Sequence, residues 1–360
     1  MAQLRRLLPI ASWIGLALSL LALIESAPRL LEEGGGIGMV LGNVAKFGWT
    51  LALLLLVFGW TRTIGTRALV GAALAGFFGI ASLAVLIGKP LMLWLGPENT
   101  FVPVVFAPVT EELLKLLPVA IFLLLAMRNP RSRPSVADVV LFGVTVAAGF
   151  TVYENILYAR GTDGGWLTRM PISILLPFVT SHGPMLVGTH FVYAGLASLA
   201  LGVTVIYGKQ FRLARFALPI ALLITMTEHA TVNRIPMDYA GEALPLWVQL
   251  TLVITLWGYL STLLLLIGVA AIAVYETRII RRGSEMLPSA LGPRDVINGL
   301  RGSPKLASLL QLHRGLRDES MRRSMILAAA QTGNSTPGAA AISAVEHPYN
   351  ATGLAIGTTT

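Results

Sequence analysis

Runs of about 20 mostly apolar residues, the length that crosses a bilayer as a helix, recur along the first three-quarters of this chain. They lie at 8–27, 37–60, 68–95, 102–127, 137–159, 185–207, 213–233 and 246–275. In lipid every backbone N–H and C=O must find a partner within the protein, which leaves only helices and closed barrels. The runs are continuous rather than alternating, so they read as helices. The expected fold is an all-α polytopic membrane protein of about eight transmembrane helices, spanning 1–275, followed by a cytoplasmic tail over 276–360. Composition agrees: 55% of the residues are hydrophobic and only 12% are charged, against about 25% charged in soluble domains. The chain has no cysteine, which excludes disulfides, zinc–thiolate centres and cysteine nucleophiles. One segment, "PISILLPFVTSHGP" (171–184), is apolar but short and carries three prolines. It reads as a re-entrant piece or a kinked extension of the sixth run. The first run follows Arg5 and Arg6 but is longer than the 7–15-residue core of a signal peptide, and it reads as a span.

Loop charges set an orientation. Arg62 and Arg67; Arg128, Arg131 and Arg133; Lys209, Arg212 and Arg215; and Arg278, Arg281 and Arg282 fall on alternate connections, together with Arg5 and Arg6. The other connections carry Glu32 and Glu33, Glu98, Asp163, Asp238 and Glu242. The excess of Lys and Arg on cytoplasmic loops predicts both termini in the cytoplasm, which suits an even number of spans. The net charge of +9 is spent on this asymmetry and on the tail, so it makes no case for nucleic-acid binding. The tail divides into a basic part over 276–325, with an amphipathic stretch at 306–326, and a part rich in Ala, Gly, Thr and Ser over 327–360 that reads as disordered.

With this orientation, polar residues inside the spans can be read by depth. "EELLK" (111–115) puts Glu111, Glu112 and Lys115 in the outer half of the fourth run. Glu154, Asn155 and Tyr158 lie near the outer end of the fifth, His190 in the outer half of the sixth, and His229 with Asn233 near the outer end of the seventh. Four helices thus bring carboxylates, imidazoles and amides to one level. A charge at the bilayer centre costs at least about 2.5–3.5 kcal/mol on insertion scales, which makes each a functional candidate. Lys115 is four residues from Glu111 and three from Glu112, so it can neutralise either carboxylate within the helix. Each residue also has a plainer reading. The glutamates and lysine can lock helix packing, Glu154 can neutralise Lys115 from the next helix, and the histidines and Asn233 can act as interhelical hydrogen-bond partners. Gly195 and Gly202 read as close-packing positions.

Two chemistries use this set. A glutamate with an adjacent histidine can deprotonate water, while a second histidine with an asparagine donates to an oxyanion. Alternatively, Glu112, His190 and His229 can hold a divalent metal such as zinc that lowers the pKa of bound water. HExxH, GxSxG, and the GxGD and GxSG signatures of other intramembrane proteases are absent from the sequence.

"EELLK" (111–115), "GFTVYENILY" (149–158), "HFVYAG" (190–195) and "HATVN" (229–233) stand in the order and spacing of the PrsW family of intramembrane proteases, which the segment 100–235 resembles. That family looks related to the CAAX prenyl protease group. The resemblance implies an intramembrane endopeptidase of the cell membrane, such as a bacterial plasma membrane. Its substrate would be a membrane-anchored protein, such as an anti-sigma factor, cut near the outer face. It implies catalytic roles for Glu111, Glu112, His190, His229 and Asn233, with Lys115, Glu154, Asn155 and Tyr158 in support. The third motif can be read on His182 or His190, and the spacing to Gly195 favours His190.

Two other readings compete. A proton-coupled carrier also uses intramembrane Glu, Lys and His, but it predicts polar residues through the full depth and an internal repeat, and the inner halves of these spans are almost wholly apolar. A non-catalytic scaffold or receptor on the same fold predicts a missing motif residue, and none is missing.

Overall fold

The computed structural model describes residues 45, 48, 51–52, 54–58, 62–96, 98–127, 134–157, 178–180, 183–185, 190–235 and 244–286. The expected span at 8–27 and the tail beyond 286 lie outside these residues. Of the span at 37–60, the described residues between 45 and 58 are helical, and Phe58 is buried in the core.

The helices are α1 (Thr66–Leu95), α2 (Ala107–Met127), α3 (Val136–Leu157), α4 (His190–Tyr207), α5 (Ala217–Arg234), α6 (Leu246–Ile254) and α7 (Tyr259–Met286). Five described stretches are long and apolar enough to cross a membrane. They are α1, the greater part of α3, α4, α5 with the 3-10 turn that precedes it, and α6 with α7 as far as Arg281. The 21 residues of α2 include Glu111, Glu112 and Lys115, three charges within five residues. The chain is a multi-pass membrane protein, and its surface agrees. Leu93, Trp94, Leu223, Ile254 and Ile267 are each at least 65% exposed, which is a lipid-facing surface rather than a wet one.

At the centre is α3. All but one residue in its first eighteen are buried, so it reads as a nearly continuous apolar run with no polar face. It can lie there because small residues let its neighbours come close. A Cβ on Gly149 would overlap the Ala73 carbonyl of α1, and one on Gly76 would overlap the Val146 carbonyl of α3. The two helices therefore cross backbone to backbone. At this contact α1 takes a π-helical turn, Ala75–Ile80, a form that tends to appear where a helix is locally adjusted. On α4, a Cβ on Gly195 would stand 3.0 Å from Val144, and one on Gly202 would stand 3.1 Å from Val136, the close packing expected of both.

The start of α3 is held by two buried carboxylates. Ser135 and Asp138 cap it reciprocally: the Asp138 N–H donates to Ser135 Oγ (3.0 Å) and the Ser135 N–H to Asp138 Oδ2 (2.9 Å). This is a capping box with Asp in the usual Glu position. Asp138 also accepts from Thr63 and the Ile64 N–H. Glu276 of α7 accepts from the Val136 N–H (2.6 Å) and the Tyr207 hydroxyl (3.3 Å). Negative charge at a helix N-terminus is favoured by the helix dipole. This end of the bundle is therefore less apolar than the sequence suggests.

Three expectations change. Among the described residues the fold is helical except for one short antiparallel pair, Phe178–Thr180 with Gly183–Met185, at the end of the proline-rich segment 171–184. The last span is broken: Leu256, Trp257 and Gly258 all have positive φ (53°, 59° and 82°), which ends α6 and starts α7 in a new direction. Its second half also continues beyond residue 275 to Met286.

Gly149→Val should destabilise the folded protein by at least about 1–3 kcal/mol, since a backbone carbonyl cannot yield as a side chain can. Gly71→Ala, at a helical site with open space around it, should be neutral or stabilising by about 0.5–1 kcal/mol. Thermal unfolding in detergent reads both.

Candidate active site

Glu111, Glu112 and Lys115 come from α2, Glu154 from α3, His190 from the first turn of α4, and His229 from α5. The structure brings all six side chains into one cluster. Lys115 is its centre. The side chain is 1% exposed, and its ammonium donates to Glu112 Oε1 at 2.8 Å and to His190 Nδ1 at 2.7 Å. It lies 3.7 Å from Glu111 Oε2 and 4.3 Å from the centre of the Phe150 ring, whose face attracts a cation. A buried ammonium needs such a set of acceptors to be tolerated.

The ammonium also decides how the rings are protonated. It can only donate, so His190 Nδ1 accepts. The other ring nitrogen, Nε2, then carries the proton and donates to Glu154 Oε2. Glu154 thus pairs with His190, where neutralisation of Lys115 was one of the readings open. His229 is fixed the other way round. Its Nδ1 donates to Glu112 Oε1 at 3.1 Å, which leaves a neutral His229 with a bare lone pair on Nε2. That lone pair faces Glu111 Oε2 across 3.9 Å.

The two glutamates differ. Glu112 is fully buried and its Oε1 serves both Lys115 and His229. The Glu111 side chain is 16% exposed. The buried Oε2 of each has no hydrogen-bond partner. One nitrogen or oxygen from each of Glu111, His190 and His229 lies within 4.8 Å of the others. Two imidazoles and a carboxylate are a common donor set for zinc. Two acceptors 3.9 Å apart with no donor between them can be bridged by one cation bonded to each at about 2.0–2.2 Å. The residues therefore fit a divalent metal. The carboxylate in the fitting set is Glu111, while His190 joins it only by giving up the Nδ1 contact with Lys115.

Asn233, one turn further along α5, donates to the Pro103 carbonyl at 2.9 Å. That contact ties the end of α5 to the π-helical turn Val102–Phe106, which leads into α2. Asn155 is on α3, next to Glu154. Tyr158 and His182 lie outside the described residues. Two residues not singled out in the sequence line the cluster. Phe150 meets the His190 ring edge to face at 5.0 Å, and Tyr193 stacks on His229 at 5.5 Å. The signal was helical spacing: Phe150 is one turn before Glu154, and Tyr193 three residues after His190.

The arrangement offers unpartnered carboxylate oxygens, a bare imidazole nitrogen and a fixed positive charge in a site walled by apolar helices. Such a site can take a proton from water and stabilise developing charge. No curated protein and no solved structure matches the chain. One family model does, over residues 65–274, and it describes PrsW family intramembrane metalloproteases. That range covers all six clustered residues and more than half of the 360 residues. The chain belongs to the PrsW family, and it is an intramembrane protease, a peptide hydrolase of the membrane.

Proposed function

We propose that the chain cleaves a membrane-anchored protein, such as an anti-sigma factor, close to the outer face of a bacterial plasma membrane. The termini would be cytoplasmic, with eight spans in all. The observation that carries the chemistry is Glu111 Oε2, buried without a hydrogen bond and facing His229 Nε2 at 3.9 Å. The loop charges support the side of the membrane.

In this reading Glu111 is the reacting carboxylate and Glu112 a positioning one. Glu111 is the more exposed of the two and its Oε2 takes no hydrogen bond, so it can receive the proton of an attacking water. Glu112 stays ionised between Lys115 and His229 and holds both in place. His190, oriented by Glu154, presents its ring beside that water. The Lys115 ammonium supplies positive charge as the carbonyl oxygen becomes negative. Glu111 and His229 would hold the family's metal, with His190 as the third ligand once its Nδ1 is released by Lys115. When bound, it polarises water and carbonyl and so lowers the pKa of the nucleophile. Asn233, bonded to Pro103, would act by fixing the end of α5.

Three outcomes follow. In cells co-expressing tagged single-span membrane proteins, wild type should release a fragment. Glu111→Gln and His229→Ala, at matched protein levels, should cut it at least about 100-fold more slowly, the low end for loss of acid–base catalysis. Equal cleavage by all three would refute the assignment. The stability order should be the reverse. Lys115→Met should lose roughly 3–5 kcal/mol, because it leaves a buried carboxylate uncompensated, while Glu111→Gln should lose far less. Adding Glu112→Gln to Lys115→Met should recover part of the loss, a coupling that a double-mutant cycle in detergent measures. Purified wild type should lose activity to a chelator and regain it with zinc. Its metal content should fall on Glu111→Ala or His229→Ala.

A further inference from the structure

A groove of about 600 Å³ opens at one end of the bundle, lined by Glu98, Asn99, Thr100, Phe101, Val104, Val105, Arg234, Pro245 and Trp247. Four chain segments meet there: the connection after α1, the π-helical turn before α2, the end of α5 and the start of α6. Two of them lead straight to the cluster. Val104 precedes Glu111 by seven residues along one helical path, and Arg234 follows His229 by five along another. At 1.5 Å per helical residue, the groove lies about 7–10 Å further toward the loops than the clustered carboxylate and imidazole. The Asn233–Pro103 hydrogen bond ties these two paths together at the groove.

The lining is of two kinds. Val104 is buried, while Phe101, Val105 and Trp247 are each more than 40% exposed. Glu98, Asn99, Thr100 and Arg234 are polar. A groove lined by both polar and apolar groups suits a polypeptide better than a bare acyl chain: a side chain packs on the apolar residues while backbone amides meet the polar ones. Trp247 and Phe101 are the amphipathic or apolar rings found at a membrane boundary.

We propose that this groove binds the segment of the substrate polypeptide that flanks the scissile bond on the loop side. That segment would be extended, with one bulky apolar side chain seated between Val104, Val105 and Trp247. An extended chain advances about 3.3 Å per residue, so the seated side chain lies roughly two to three residues from the scissile bond. The proposal rests on the protease reading for the identity of its ligand.

The chain contains no cysteine, so Val105→Cys introduces a single thiol into the groove. The probe is a tagged single-span membrane protein carrying one cysteine at each of successive positions across its membrane boundary. Disulfide trapping is done with the Glu111→Gln protease, so that cleavage does not consume the complex. Leu93→Cys, on the lipid-facing surface, serves as control. Trapping by Val105→Cys should peak sharply at two or three adjacent substrate positions, and trapping by Leu93→Cys should be flat. With Trp247→Ala added, the peak should fall several-fold for probes bearing Leu or Trp at the seated position and change little for probes bearing Ala there. A flat profile at Val105→Cys would overturn the groove even if wild type cleaves the probe, and would leave the groove to lipid. A sharp peak with no cleavage by wild type would keep the groove and remove the protease reading.

Discussion

A lysine ammonium closed off from water is the interaction on which this molecule turns. Lys115 cannot be buried alone in a bundle of apolar helices, and its own helix supplies only part of what it needs. Glu112 is within the same helix, but His190 comes from α4. Through His190 the lysine reaches Glu154 on α3, and through Glu112 it reaches His229 on α5. Four helices are therefore brought into one register by a single charge. Apolar surfaces in lipid have no hydrophobic drive to choose among neighbouring packings, and a polar knot of this kind selects one.

The same interaction separates two carboxylates that are adjacent in sequence. Glu112 is drawn into the knot and Glu111 is left at its edge. Identical side chains thus acquire different environments from a helical offset of one residue. The bare nitrogen of His229 is a further result, because Glu112 claims the proton-bearing side of that ring.

Much of the site was legible because charge in a membrane is costly. Glu111, Glu112, Lys115, Glu154, His190 and His229 each stand out against an apolar background, and their common depth implied that they meet. Which one pairs with which was not legible, since depth fixes height but not direction around the helix. Glu154 with His190 and Asn233 with Pro103 depend on the rotation of each helix. Aromatic residues such as Phe150 and Tyr193 do not stand out in a span and were passed over. Asp138 sits in an S-x-x-D pattern ahead of an apolar run, a readable cap. Glu276 was counted with the tail, because it falls where the hydrophobic run gives way to arginines. The helical class and five of the six spans expected from 68 onward were legible from run length alone. The break at Leu256–Gly258 was not. Only Gly258 hints at it, and Leu256 and Trp257 adopt a backbone that their side chains disfavour.

That break has a consequence for how the bundle is assembled. A left-handed residue other than glycine costs about 1–2 kcal/mol, and here two stand in succession before Gly258. The loss is offset from outside the segment. Buried Glu228 of α5 accepts from both the backbone N–H and the hydroxyl of Ser261, at the start of α7. Detached from α5, residues 246–286 would lose this acceptor at the start of α7. The carboxylate that supplies it is the immediate neighbour of His229, so the seating of the last helix and the placement of that imidazole depend on the same turn of α5.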